Sequence, residues 1–354
     1  MDGLCGRAKA TDPSRTGSRA AAAGRADQSA SAEPLLRLID QGFLARTEPD
    51  NRTQLTERGV RQLARESLED VFARMQAATG GSERLASGAE PVSEAELLAA
   101  VAHSLSGREV SCPLGVSTDQ IEDRLANCKK TASVAVLIDM GYSMSRFSRF
   151  FCAKKAALAI TALAENHFPA DRVEIIGFYS QAQRIAPGDL PLLMPKPVGI
   201  VNKHVSIRLP MQRADEAPQH FTNLQMAIQL AHETMAQRPD DNKLIFVVLD
   251  GEPTACVTGE ELTLQYPPGR QIAAATLAEG DRMAAAGGQF TVFALIDDCF
   301  NTDWVGFVDR IVRRTRGVSF YCGSEELAGC MVESYIAGKQ TSQAQPAGAA
   351  VGKP

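Results

Sequence analysis

Three short stretches of this 354-residue chain concentrate oxygen chemistry. Asp139-Met140-Gly141-Tyr142-Ser143 follows the apolar run "SVAVLI", Thr222-Asn223 follows "QHF", and Asp250-Gly251-Glu252-Pro253-Thr254 follows "LIFVVL". Carboxylates and hydroxyls without His or Cys form a hard-oxygen set. That set suits Mg²⁺, with Mn²⁺ or Ca²⁺ as alternatives. Mg²⁺ takes about six oxygens and keeps some of its waters, so a few side chains on three loops leave a position open. A second chemistry competes for the same residues. Gly141-Tyr142-Ser143-Met144-Ser145 nearly matches the Gly-x-Ser-x-Gly elbow of serine hydrolases. The last Gly is missing, and no His follows His232, so the later strands carry no base. No phosphate-cradling G-x-x-x-x-G-K-[ST] run and no G-x-G-x-x-G run occurs, so the chain is not itself a P-loop ATPase or a dinucleotide binder. The expectation is a site that binds rather than catalyses.

The elements that must position these residues are regular from Thr131 onward. "SVAVLID", "RVEIIGFYS", "KLIFVVLDG", "QFTVFALID" and "VSFYCG" read as strands. Between and after them, "RFFCAKKAALAITALAENHF", "TNLQMAIQLAHETMAQR", "RQIAAATLAEGDRMAAAG", "DWVGFVDRIVRRTRG" and "EELAGCMVESYI" read as helices. The Pro-rich "APGDLPLLMPKPVG" and the residues on to Gln219 show no clear element. Near-continuous apolar strands alternating with helices predict a doubly wound, mostly parallel α/β sheet covered on both faces. Such sheets place their sites at the carboxyl ends of strands, where all three stretches fall. Arg146, Arg149, Lys154 and Lys155, just after the first stretch, read as a solvated helix face.

The three stretches resemble the metal-ion-dependent adhesion site of von Willebrand factor A domains, Asp-x-Ser-x-Ser, a distant Thr and a later Asp. The match falls on Asp139, Ser143, Thr222 and Asp250, and "IFVVLDGEPTA" is a specific form of the third segment. The resemblance runs from about Thr131 to Ile336 and implies a Rossmann-like A-domain fold. It is closest to bacterial A-domain proteins similar to the D subunit of magnesium chelatase, which work beside MoxR-type or chelatase-like AAA+ ATPases; "DLPLL", "YPPGRQI" and "FLART…LTERG" are shared features. The resemblance implies metal binding by Asp139, Ser143, Thr222 and Asp250. It also implies a partner carboxylate at the open position, with Gly141, Tyr142, Ser145, Asn223 and Glu252 around it as partner contacts. Gly141 departs from the pattern, which has Ser there, and glycine supplies no hydroxyl.

The flanks are less informative. Residues 1–33 are rich in Ala, Gly, Ser and Arg and cannot bury enough apolar surface to order themselves, and 338–354 reads as a disordered tail. Residues 34–76 read as helix, hairpin and helix, a winged-helix-like block in which Gly42 stops the first helix and Thr56 caps the second. Acidic and basic residues balance there, so a packing or docking role is expected over DNA binding. Residues 77–130 read as linker plus irregular helical segments, with Ser93 and Glu96 as a capping box. With 44% hydrophobic and 22% charged residues the composition is that of an ordinary globular protein. The net charge of -5 offers no basic footprint for nucleic acid. No apolar run approaches a membrane span, no secretory h-region is visible, and the eight cysteines form no Cys-x-x-Cys pair, so a reducing cytoplasm is expected. The function expected is a metal-dependent interaction module that serves an AAA+ ATPase in cofactor or metal insertion or complex remodelling. A chelatase-type subunit and a DNA-binding regulator are the alternatives.

Overall fold

The structure is a computed structural model that describes residues 34–47, 52–82, 131–196, 204–238, 242–297 and 305–341. The expected capping box at Ser93 and Glu96, the segments at 1–33 and 83–130 and the tail after 341 lie outside the described residues. The chain divides into two compact units, Met1–Val60 and Arg61–Pro354.

In the first unit, helix α1 (34–40) is followed by strands β1 (Leu44–Thr47) and β2 (Arg52–Leu55), paired antiparallel. Gly42 sits at φ +74°, the left-handed turn that ends a helix, and its N–H donates to the Ile39 carbonyl. Helix α2 (Glu57–Ser82), whose residues from Arg61 on belong to the second unit, starts at Thr56, whose Oγ1 accepts the Gly59 N–H at 3.1 Å and so satisfies one of the helix's orphan donors.

The second unit holds a six-stranded sheet built from β3 (Ala132–Asp139), β4 (Arg172–Phe178), β5 (Ala182–Ile185), β7 (Asn242–Leu249), β10 (Gly288–Leu295) and β11 (Val318–Cys322). The order is β11-β10-β7-β3-β4-β5, with β5 alone antiparallel to its neighbour. The chain leaves β3 toward β4 and β5, then returns on the other side through β7. The β3–β7 junction is therefore the topological switch point, where the loops diverge and leave a crevice.

Alternate residues of the central strands face opposite layers, as a pleated strand requires. Val134, Val136 and Ile138 of β3 join a core with helix α3 (Arg149–His167) and helix α7 (Leu327–Thr341), and Ala64, Leu68 and Val71 of α2 belong to the same cluster. Ala135 and Leu137 join the opposite core with α4 (Leu224–Ala236), α5 (Arg270–Ala285) and α6 (Val305–Thr315). Burial on both faces explains why the strand sequences are continuously apolar.

Two expectations need correction. The stretch without clear elements contains β6 (Val205–Pro210), which pairs with β9 (Glu261–Tyr266); β9 in turn forms a hairpin with β8 (Ala255–Thr258). Leu262 and Leu264 of β9 and Ala255 of β8 cluster with Ala214, Ala217 and Phe221 on this small sheet. The tail expected to be disordered from 338 is helical to Thr341, because the Lys339 side chain is buried and ion-paired to Asp171. Among the described residues no helix is long and apolar enough to cross a membrane. Cys152, Cys256 and Cys322 are free thiols, whereas Cys330 is disulfide-bonded.

Candidate metal centre

Asp139 is the last residue of β3 and Asp250 follows β7 directly; Ile138 is paired with Val248, so the two carboxylates leave adjacent strands at the same edge. Asp139 is 1% exposed. Its Oδ1 accepts the Gly141 N–H at 2.7 Å, and its Oδ2 accepts the Thr222 hydroxyl at 3.4 Å. Burial first, and the nearby Asp250 second, push the Asp139 carboxyl well above the usual carboxylate range.

Thr222 is held in place by Thr254. The Thr222 N–H donates to Thr254 Oγ1 at 2.8 Å, and the Thr254 N–H returns a bond to the Thr222 carbonyl at 3.0 Å. The "DGEPT" loop thus aims the second stretch while its own Asp250 reaches the site. Ser143 lies in a short 3-10 segment after β3, and its hydroxyl donates to Asp250 Oδ1 at 2.8 Å. The structure brings together all four residues expected to bind metal.

The expected partner contacts divide. Tyr142 and Ser145 are exposed. Glu252 is half-buried and paired with Arg310 at 3.0 Å. Asn223 is fully buried, because its Oδ1 caps α4 at the Met226 N–H (3.2 Å) and its amide donates to the Ser180 carbonyl (3.1 Å). Gly141 is buried as well, its amide committed to Asp139. Those two shape the site and do not face a partner.

Two residues at this edge were missed. Arg149, expected on a solvated face, is 3% exposed, and its guanidinium bonds Asp250 Oδ2 at 2.8 Å and Asp297 Oδ2 at 2.9 Å. Its neighbours on α3 are also engaged: Lys154 donates to the Pro191 and Leu193 carbonyls, and Lys155 pairs with Asp70. Asp297 lies two residues beyond the end of β10. Burial would raise its carboxyl, but the Ser324 N–H, the Arg149 guanidinium and the Ser324 hydroxyl together hold it below the usual range. Asp297 carries the signal that marked Asp139 and Asp250, an acid just after an apolar strand. Arg149 carries none, since a basic residue opening an amphipathic helix is ordinarily solvated.

The donor set fits a hard divalent ion. Two carboxylates and two hydroxyls converge from three loops, and a cation would relieve the repulsion between Asp139 and Asp250. A Cβ at Gly141 would lie 3.0 Å from Asp139 Oδ1 and 3.5 Å from Thr222 Oγ1, so this position faces the same cluster. Among the described residues no cluster of three or more His, Cys, Asp or Glu forms a metal site, so any ion here relies on the hydroxyls.

Cys322, at the same end of the sheet, gives a separate prediction. Burial, then Glu326 and Asp297, push its thiol up to about 12. It is expected to resist iodoacetamide at neutral pH in the folded chain and to react only after denaturation, as read by peptide mass mapping. Rapid alkylation of Cys322 in the native protein would contradict this packing.

The model of the Rv0959-like proteins' vWA domain matches residues 132–336. The uncharacterised protein Rv0959 of Mycobacterium tuberculosis is 26% identical over 321 residues, covering 84% of this chain and 44% of the relative. The Mycobacterium bovis protein Mb0984 matches with the same figures, so the chain spans under half the length of these relatives. Among solved structures, the conserved hypothetical protein BatB from Bacteroides thetaiotaomicron aligns with a TM-score of 0.39 and 17% identity, over 59% of this chain and 99% of that one. The vWF domain of the pilus tip protein Mfa5 from Porphyromonas gingivalis aligns at 0.40 and 10%, over 62% and 98%. With its doubly wound sheet and the family match across the whole of it, this chain belongs to the Rv0959-like vWA-domain proteins.

Proposed function

We propose that this vWA domain is a non-catalytic docking module that engages a partner's acidic side chain through a divalent ion held by Asp139, Ser143, Thr222 and Asp250. The observation that carries this reading is the convergence of those four side chains at the β3–β7 switch point. The chemistry supplied when Mg²⁺ is bound is an open coordination position for an oxygen from outside. Asp139 and Asp250 contribute negative charge, Ser143 and Thr222 neutral oxygens, and the Gly141 N–H orients Asp139. Tyr142, Phe147 and Phe151, on the loop after β3 and the first turn of α3, are 45%, 56% and 60% exposed. Exposed aromatics of this kind supply apolar contact area around a polar anchor in many interfaces.

For the partner, the resemblance to A-domain proteins of the chelatase D-subunit type favours an AAA+ ATPase of MoxR or chelatase class, acting in cofactor or metal insertion or complex remodelling. An affinity capture in excess Mg²⁺ tests this, with wild type, wild type in chelator, and Asp250→Asn. Wild type is expected to retain an AAA+ ATPase that chelator and Asp250→Asn both release. Asp297 remains to compensate Arg149 in that variant, so its fold is expected to stay intact. Equal capture in all three arms would sink metal-mediated docking.

A further inference from the structure

Both Asp250 carboxylate oxygens are engaged: Ser143 donates to Oδ1 and Arg149 to Oδ2. The Arg149 guanidinium keeps its proton in proteins, so a positive charge is always present beside the expected metal ligands. That charge has a second anchor. Arg149 Nε reaches Asp297, which the Ser324 backbone and hydroxyl fix at 2.7 Å each. The guanidinium can therefore release Asp250 without becoming an unpaired buried cation. The backbone leading into it is strained, since Phe147 and Ser148 take consecutive left-handed conformations at φ 51° and 57°, which non-glycine residues rarely adopt. The Phe147 ring lies 5.1 Å from the guanidinium and packs against it. A costly turn that delivers an arginine between two acids, Asp250 and Asp297, points to a role for the arginine at that edge.

We infer that Arg149 is the resident cation of this site: it competes with a divalent ion for Asp250, and its second partner Asp297 receives it when the ion enters. Arg149 thus sets how tightly the edge holds metal. The inference rests on the metal reading of Asp139, Ser143, Thr222 and Asp250, and it deepens that reading into a device that keeps affinity low until ion and partner arrive together.

The test is calorimetric titration of the full chain with Mn²⁺ and Mg²⁺, each alone. Arg149→Met keeps the side-chain length and removes the charge, and is expected to tighten binding by roughly tenfold or more. Its thermal midpoint is expected to rise more with added Mn²⁺ than that of wild type, because the ion replaces a lost counter-charge. Asp297→Asn moves the other way. With its alternative partner neutralised, Arg149 holds Asp250 harder, and metal affinity is expected to fall. Wild-type binding with an unchanged or weaker Arg149→Met affinity would overturn the inference and leave the metal reading standing. Should Arg149→Met not fold, an unchanged or tighter affinity in Asp297→Asn overturns it equally. Absence of binding in wild type, both variants and Gly141→Ser would overturn the inference and the metal reading together.

Discussion

Replacing Asp171 by alanine is expected to destabilise the protein by about 3–5 kcal/mol, the cost of stranding a buried charge. Lys339 and Asp171 are buried together, their side chains 1% and 2% exposed. Asp171 also accepts the Tyr335 hydroxyl and, through Oδ1, the Ala132 N–H at 2.9 Å. One carboxylate thus ties the last helix α7 to the first strand of the sheet. The Lys339 ammonium lies 4.1 Å from the Phe168 ring centroid, a contact that cannot replace a counter-ion. A double variant, Asp171→Leu with Lys339→Met, is expected to recover much of the loss, since it removes both charges. Denaturant melts of the two variants check this. A loss under about 1 kcal/mol for Asp171→Ala, the range of an exposed pair, would contradict the buried pairing. This cluster sits at the amino end of β3, opposite Asp139, so metal binding should be unaffected.

Gly141→Ser is expected to tighten Mg²⁺ and Mn²⁺ binding by about tenfold, the gain of one more protein oxygen in an oxygen-coordinated site. The backbone permits it. Gly141 has φ −57° and ψ 160°, a conformation open to serine, so glycine is not required there for a left-handed turn. The new Cβ would lie 3.0 Å from Asp139 Oδ1, so that carboxylate must shift by a few tenths of an ångström. Its hydroxyl would then join Thr222 and Ser143. Calorimetry on both forms decides the matter, and a weaker affinity with the fold intact would mean that the shift of Asp139 outweighs the added oxygen.

The sheet was legible in the sequence because strands buried on both faces must be continuously apolar, and "SVAVLI" and "LIFVVL" are. Asp139 and Asp250 were legible only in combination: an acid after a strand is commonly a turn residue, but three oxygen-bearing stretches at three strand-end loops, with hydroxyls at Ser143 and Thr222, make one pattern. β6 was missed although Val205, Ile207 and Leu209 alternate, because it follows a Pro-rich stretch and is only half-buried, on one face. Arg149 was not legible: what makes it special is the meeting of α3 with the ends of β7 and β10, a tertiary fact with no local signature. Asn223 and Gly141 were placed at the right loop with the wrong exposure. Nothing in the spacing says whether a polar residue beside a site faces the solvent or caps the next helix.

The most direct test of the metal-dependent edge is Mn²⁺ binding followed by electron paramagnetic resonance, on wild type and Asp139→Asn. Because burial and Asp250 already disfavour the charged form of Asp139, the neutral amide should leave the fold intact, which a thermal melt confirms. Wild type is expected to bind a single class of Mn²⁺ that Mg²⁺ displaces, and Asp139→Asn to lose that class. Identical Mn²⁺ binding in the two proteins, or none in wild type, Arg149→Met and Gly141→Ser alike, would contradict the account.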